Sequence, residues 1–424
     1  MDNESTTEEN STADAPICDE PSGHTIIFLF PAIMEIRQHR AKVVTIGPYH
    51  HKEKLFFGNN YKWQVLDVMT YAFQFETAMF FRNMVRREKE LRGCYEEQCE
   101  EDSYPMDTKA FLQMMLLDGC FIIFALKCFS LKNQPLHDMV ELFTSKIQRL
   151  GEGILMYRLI NNIKNLVSDL EMHQESLICD LLQMENQVPF SVLQELLHVC
   201  PTLRDFIGGS IKDLALSGFK CVRPRMNKEK SDPPENFLHL LDVFHWSRVP
   251  KDKYKIDNRF DSQTLSDLCM LHAEDSHRTR MKFKKKSGSS LDVEIKNSSC
   301  RKRCVVKVPT IDIKNYQFSV FESLVTFEAR YKKRGFCFTA FVESMASILG
   351  SENDVKLLQK SGIIPKGTGA SDDYVIKFFH QLCRCIKPIA AAPHPCDGYK
   401  NAVDRVRETV EVSEVTEARC WFRF

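Results

Sequence analysis

The chain carries no excess of either charge: 57 Lys+Arg stand against 57 Asp+Glu in 424 residues. That balance removes the overall electrostatic reason to expect a nucleic acid or a membrane surface as partner. Long hydrophobic runs are missing too. The longest early one, Ile26 to Met34, contains Pro31 and falls short of the roughly 20 apolar residues that span a bilayer. The first Lys or Arg is Arg37, so the N-terminus is expected to lack the basic region of a signal peptide. As written, the chain is expected to be soluble or peripherally attached. Regular cysteine spacing is also absent. The 16 cysteines are scattered singly, as at Cys120, Cys128, Cys179 and Cys200, and read as buried thiols in a reducing compartment. Sequons at Asn3, Asn10 and Asn297 leave an extracytoplasmic face open.

Signatures of known chemistry are equally sparse. There is no nucleophile elbow and no dinucleotide fingerprint. Gly362 to Gly367 has the glycine spacing of a phosphate loop, but Thr368 stands where the lysine must be. Cys300 and Cys304 have no second Cys/His pair at zinc spacing. His50 and His51 are adjacent, and neighbours on an extended chain point to opposite sides, so a structural turn is the plainer reading. No metal, cofactor or catalytic residue is therefore assigned, and the binding residues stay open.

What is present is apolar periodicity. Apolar residues make up 43% of the chain and charged residues 27%, enough for a sizeable core. Residues 1–22 form an acidic leader expected to be disordered. Val43 to Ile46, β-branched and followed by Gly47-Pro48, reads as a short buried strand. Tyr61 to Arg92 reads as one long helix. Phe111 to Ile123 is almost wholly apolar and should be the central buried helix. Asp118 within it needs a partner, expected to be local, and Gly119 allows a close helix approach.

The stretch Ile178 to Leu197 organises the rest. Leu177, Ile178, Leu181, Leu182 and Met184 form one helical stripe, and Phe190, Leu193, Leu196 and Leu197 another. Between them, Asn186 suits a left-handed helix end, and Pro189 suits the first turn of a new helix. An αα-hairpin results. No Lys or Arg occurs from Asn165 to Leu203, so this hairpin is acidic where exposed, which argues against a DNA-reading helix. Cys221 to Glu235 reads as a charged surface linker.

Farther on, Arg278, Arg280, Lys282 and Lys284 alternate with Thr279, Met281 and Phe283 at a period of two. This is a strand with cations outward, either protecting a sheet edge or binding an anionic partner. Leu291 to Ile295 and Val305 to Pro309 supply further strands. The fold class is mainly α (α+β): a single large helical domain over 23–386, with a small antiparallel sheet at about 278–313. A divergent tail over 387–424, expected to be disordered, begins with an Ala/Pro-rich breaker at Pro388.

Several blocks together resemble one family. Asp180-Leu-Leu-x-x-Glu185-Asn186-Gln187-x-Pro189-Phe190 and Gly47-Pro48-Tyr49-His50-His51, with Lys62-Trp63, are similar to the hallmarks of the plant "domain of unknown function 247" family. So are Phe111 to Ile123, His239-Leu-Leu-Asp242-x-x-His245, Phe321 to Glu328, Asp354 to Leu358 and Gly362 to Ile364. The resemblance implies a plant protein without established catalytic residues, usually tethered to the plasma membrane by a hydrophobic C-terminal segment. No such anchor is evident after Lys387, so the chain could equally be cytoplasmic or peripheral.

Some grass members are implicated in pollen–stigma self-incompatibility, which implies a non-enzymatic recognition or signalling module with a protein partner, and no nucleic acid. Two alternatives accompany that reading. One is an enzyme using Asp118, Glu185, Asn186, His239, Asp242 or His245. The other is a cationic-edge binder of anionic lipid or nucleic acid.

Overall fold

The computed structural model describes residues 26–27, 41–95, 106–131, 135–148, 153–222, 234, 236–249, 281–288, 291, 294–298, 303–310, 313, 318–331, 334–366 and 370–390. The acidic leader, the tail beyond 390, Arg278, Arg280, Cys300, Thr368 and most of the 221–235 linker lie outside them.

Helix α4 (Thr108–Ser130) is the axis of the first half. Asp107 caps it, accepting from the Ala110 N–H at 2.7 Å. Its residues are apolar all round, so every face must be covered. The cover comes from α1 (Asn59–Phe73), α2 (Thr77–Val85), α5 (Pro135–Ile147), α6 (Ile154–Met172), α8 (Phe190–Val199) and α10 (Ile211–Gly218). Among the described residues α4 is the one helix long and apolar enough to cross a membrane, and 83% of that stretch is buried inside the protein. At Gly119 a Cβ would meet Leu196 Cδ1 at 2.6 Å, so the missing side chain sets how closely α8 approaches.

The single helix expected from Tyr61 to Arg92 is three: α1, α2 and α3 (Glu88–Gly93). Gln74 ends α1 in the left-handed region (φ 52°, ψ 45°), its N–H bonded back to Thr70 O. Phe75 is buried at the turn that follows. Helical periodicity persists through such a break, because Phe80 and Met84 are buried from the next helix.

The two helices expected around Pro189 form, but they do not pack on each other as an αα-hairpin: α7 (Gln174–Leu181) lies on α6, and α8 on α4 and α2. Helix α7 ends at Leu182, and Asn186 does not adopt a positive φ. Pro189 sits at the N-cap of α8 with extended ψ of 136°, rather than inside the first turn. Phe190 N–H donates to Leu238 O at 2.7 Å, tying the start of α8 to the segment before α11 (Leu240–Arg248).

In the second half, β1 (Met281–Lys286), β2 (Glu294–Ser298) and β3 (Arg303–Pro309) form one sheet in the order β1-β3-β2. The expected antiparallel sheet is mixed instead: β2 pairs antiparallel with β3, but β1 runs parallel to it. The chain leaving β1 crosses to the far edge before returning as the central strand. Phe283, Val306 and Val308 share the buried face. Four helices accompany the sheet: α12 (Phe318–Arg330), α13 (Cys337–Ile348), α14 (Glu352–Lys360) and α15 (Asp372–Ala390). A capping box between Ser351 and Asp354 starts α14. Helix α15 packs on the other three and continues past Pro388 to Ala390, with the proline in its last turn.

Candidate functional site

The polar residues singled out by the sequence are mostly buried, and three of the six converge on one stretch of backbone. Residues 41–47 carry no regular secondary structure, bend at Lys42, Val43 and Gly47, and pair with no strand among the described residues. Their N–H groups go to side chains instead. Asp180 accepts from three consecutive amides, Lys42 (3.0 Å), Val43 (2.8 Å) and Val44 (3.0 Å). Asn186 Oδ1 accepts from Ile46 N–H at 2.6 Å, and its Nδ2 donates to Val44 O and Asp180 O. The strand expected at Val43 to Ile46 is thus replaced by a segment gripped by Asp180 of α7 and Asn186 of the α7–α8 connection. Buried backbone donors need partners, and side chains can supply them as well as a neighbouring strand can.

Asp118 completes the grip. Its Oδ2 accepts from Gly47 N–H at 2.8 Å, and its Oδ1 pairs with Lys62 Nζ at 2.5 Å. Lys62 also donates to Thr45 O at 2.6 Å. The expected local partner is replaced by a distant one, 56 residues earlier on α1. Burial pushes the Asp118 carboxyl up, while the Lys62 ammonium and the Gly47 N–H pull it back. Gly47 has φ 75°, and a Cβ there would meet Gln187 O at 2.6 Å, so the turn requires glycine. Burial likewise raises Asp180 to about 6, against the pull of its three amide donors.

Glu185, half-buried, lies on the same α7–α8 connection. Its carboxylate meets His50 Nε2 at 2.9 Å, and His50 Nδ1 lies 3.3 Å from Glu53. His51 turns away to Pro48 O. Gln187 is buried, donates to Leu181 O and Gln183 O, and accepts from Leu241 N–H at 3.2 Å.

The histidines of α11 have separate surroundings. His239 is its N-cap: Nδ1 accepts from Asp242 N–H at 3.3 Å, which leaves Nε2–H to donate to Ile26 O at 3.2 Å. Burial lowers its pKa to about 3. Asp242 accepts from Leu238 N–H and from Arg334. His245 Nε2 meets Glu328 at 2.8 Å, and Glu328 also accepts from Phe338 and Thr339 at the start of α13. Both imidazoles pack edge-on against Phe327.

The six acid, amide and imidazole candidates therefore share no cleft. Asp118, Glu185 and Asn186 converge on residues 44–50, whereas His239, Asp242 and His245 brace α11. Among the described residues no group of three His, Cys, Asp or Glu side chains is placed to hold a metal ion. Sequence reading assigned no buried partner role to Lys62 or Asp180, and both are buried. The signal for Lys62 was its phase: it shares an apolar stripe with Leu66 and Met69, so a buried cation there answers the buried acid in α4. On β1, Phe283 is buried while Lys282, Lys284 and Lys285 are exposed.

A family model described as a plant protein of unknown function matches residues 27–423, farther along the chain than the hallmark blocks extend. The chain is also similar to the Arabidopsis thaliana protein named "UPF0481 protein At3g47200", at 25% identity over 378 residues, covering 82% of this chain and 69% of that protein. No solved structure matches. The match spans most of the chain, which therefore belongs to this plant family of unknown function, the domain of unknown function 247.

Proposed function

We propose that the protein is a non-enzymatic recognition module that binds a protein partner through its surface while its hallmark blocks hold the interior. The observation that supports this is the use made of the reactive side chains. Asp118, Asp180, Asn186, His239, Asp242 and His245 are buried, and each is engaged by backbone or by an oppositely charged side chain. Groups so occupied offer no open position for a substrate.

The surface offers apolar residues instead. On the α5–α6 hairpin Ile154 is 90% exposed and Tyr157 67%, and Leu136 and Val140 line an open groove of about 570 Å³ with Lys164. Exposed apolar residues on a helical surface suit a protein partner. Self-recognition of the self-incompatibility type is one form that this role would take.

The test is quantitative crosslinking of the full chain in plant membrane and stigma extracts, beside the Ile154→Glu/Tyr157→Glu variant. A specific partner that crosslinks to the parent and is lost with the variant is expected. Equal labelling of both chains, or none above an unrelated control, would overturn the reading.

A further inference from the structure

Helix α2 turns a face of mixed apolar and cationic residues to solvent. Phe80 and Met84 are buried, and Ala78, Met79, Arg82 and Val85 lie on the other side of the helix at spacings of three and four residues. Arg86, the C-cap, keeps right-handed helical angles (φ −66°, ψ −23°), so it continues that face one turn beyond Arg82. All five are exposed, Met79 by 40% and Val85 by 54%. Neither Arg82 nor Arg86 forms an ion pair or a side-chain hydrogen bond among the described residues. The neighbouring acids are taken: Glu90 by Arg87, Glu88 by Arg92 and Glu195 by Asn83. Glu76 sits at the opposite end of the helix, as its N-cap.

The acidic leader is tethered close by. Ile26 and Ile27 N–H both donate to Cys94 O at 2.8 Å, just past the end of α3, and Ile27 bridges Tyr95 in parallel. His239 and Tyr49 hold the carbonyls of the same two residues. In a parallel pairing both chains run the same way. The chain before Ile26 therefore leaves on the side from which α3 arrives, and the acidic segment after Tyr95 leaves on the other. Residues 1–20 carry seven acids and no Lys or Arg. Within them Asp14-Ala15-Pro16-Ile17-Cys18-Asp19-Glu20 sets an apolar pair between carboxylates. Six residues of extended chain before Ile26 bring Glu20 within reach of points about 20 Å away, and twelve bring Asp14 to about 40 Å. Arg86 and Arg82 lie only about 12 and 18 Å of helical rise before Cys94, which leaves enough chain to pass round a helix about 10 Å across.

We propose that the acidic leader docks on the exposed face of α2, with Asp14, Asp19 and Glu20 on Arg82 and Arg86 and with Ile17 against Met79 and Val85. The planar guanidinium fork matches a carboxylate. Met79 and Val85, set among the arginines, suit a peptide with an apolar anchor rather than a nucleic acid backbone, which has no apolar group to lay on them. Exposed ion pairs are weak singly. The tether at Ile26 makes up for this, because a short flexible link holds its ends at an effective concentration in the millimolar range. A contact too weak for a free peptide therefore forms within one chain. The docked leader shuts this face to acidic partners until it is displaced. The face stands apart from the α5–α6 surface and does not depend on the reading given to it.

The test places the photocrosslinker p-benzoylphenylalanine at Met79 of the full chain and maps its products by mass spectrometry. Intramolecular crosslinks to residues 13–20 are expected, and their yield should fall as salt rises from about 0.1 to about 0.5 M. Arg82→Glu/Arg86→Glu turns attraction into repulsion and should cut that yield about fivefold or more, as should Asp19→Arg/Glu20→Arg. Combining the two pairs of reversals should restore it. Arg158→Glu/Lys164→Glu makes the same change in net charge with exposed residues of α6 and should crosslink as the parent does. Circular dichroism checks that each variant is folded. Absence of crosslinks to the leader, crosslinks to residues 96–102 or to a second copy in its place, an equal loss in the α6 variant, or no recovery in the combined reversal would each overturn the proposal.

Discussion

Removing the Lys62 ammonium while keeping its aliphatic stem should destabilise the protein far more than removing the ion pair as a whole would suggest. Lys62 is 5% exposed in its side chain and Asp118 is 1% exposed, so solvent screens neither. In Lys62→Met, the Asp118 carboxylate keeps one donor, Gly47 N–H, and Thr45 O loses its partner. An uncompensated buried charge costs about 3–5 kcal/mol. In Lys62→Met/Asp118→Leu no charge remains, and the orphans are two neutral backbone groups at about 1–3 kcal/mol each.

The double variant should therefore be several kcal/mol better than the sum of the singles. Urea unfolding followed by far-ultraviolet circular dichroism measures all four corners of the cycle. The penalty should also depend on pH. Without Lys62 the Asp118 carboxyl rises farther above its unfolded value, so the folded variant gains a proton that the unfolded chain does not hold. The Lys62→Met deficit should shrink between neutral pH and about pH 5. Additive single effects, or a Lys62→Met variant within about 1 kcal/mol of the parent at pH 7.5, would refute the account of a pair that organises the 41–47 segment.

Three further outcomes follow from the same contacts. His239 is held neutral with its pKa lowered to about 3, so its contribution is present above the unfolded value near 6.5 and lost as pH falls toward 3; His239→Asn, which keeps a capping acceptor, should flatten that part of a stability–pH curve measured by urea midpoints. Gly119→Ala should lose about 1–3 kcal/mol through the clash with Leu196, and Leu196→Ala added to it should recover part of the loss in thermal melts; no recovery would place the strain elsewhere. Asp180→Asn has one oxygen fewer for three amide donors, so hydrogen exchange should quicken at Lys42, Val43 and Val44 before it does in α4; unchanged protection there would show that other contacts hold the segment.

The helices were legible because apolar stripes and helix-starting residues act within a few positions. Phe111 to Phe129, the two stripes around Pro189 and the alternation of Lys282, Phe283 and Lys284 all declare their buried faces locally. The break at Gln74 was not legible, because periodicity resumes in α2 on the far side of it. Sequence alone thus determined a mainly helical chain of this plant family, with Asp118 inside it and a cationic strand on its surface. Only the tertiary structure decided what the polar residues hold. Asp118 reaches Lys62, Asp180 takes the amides expected to pair in a strand, and β1 lies parallel to β3. A side chain's phase along its own helix reports that it is buried, but its partner is whichever distant donor the packing brings within about 3 Å.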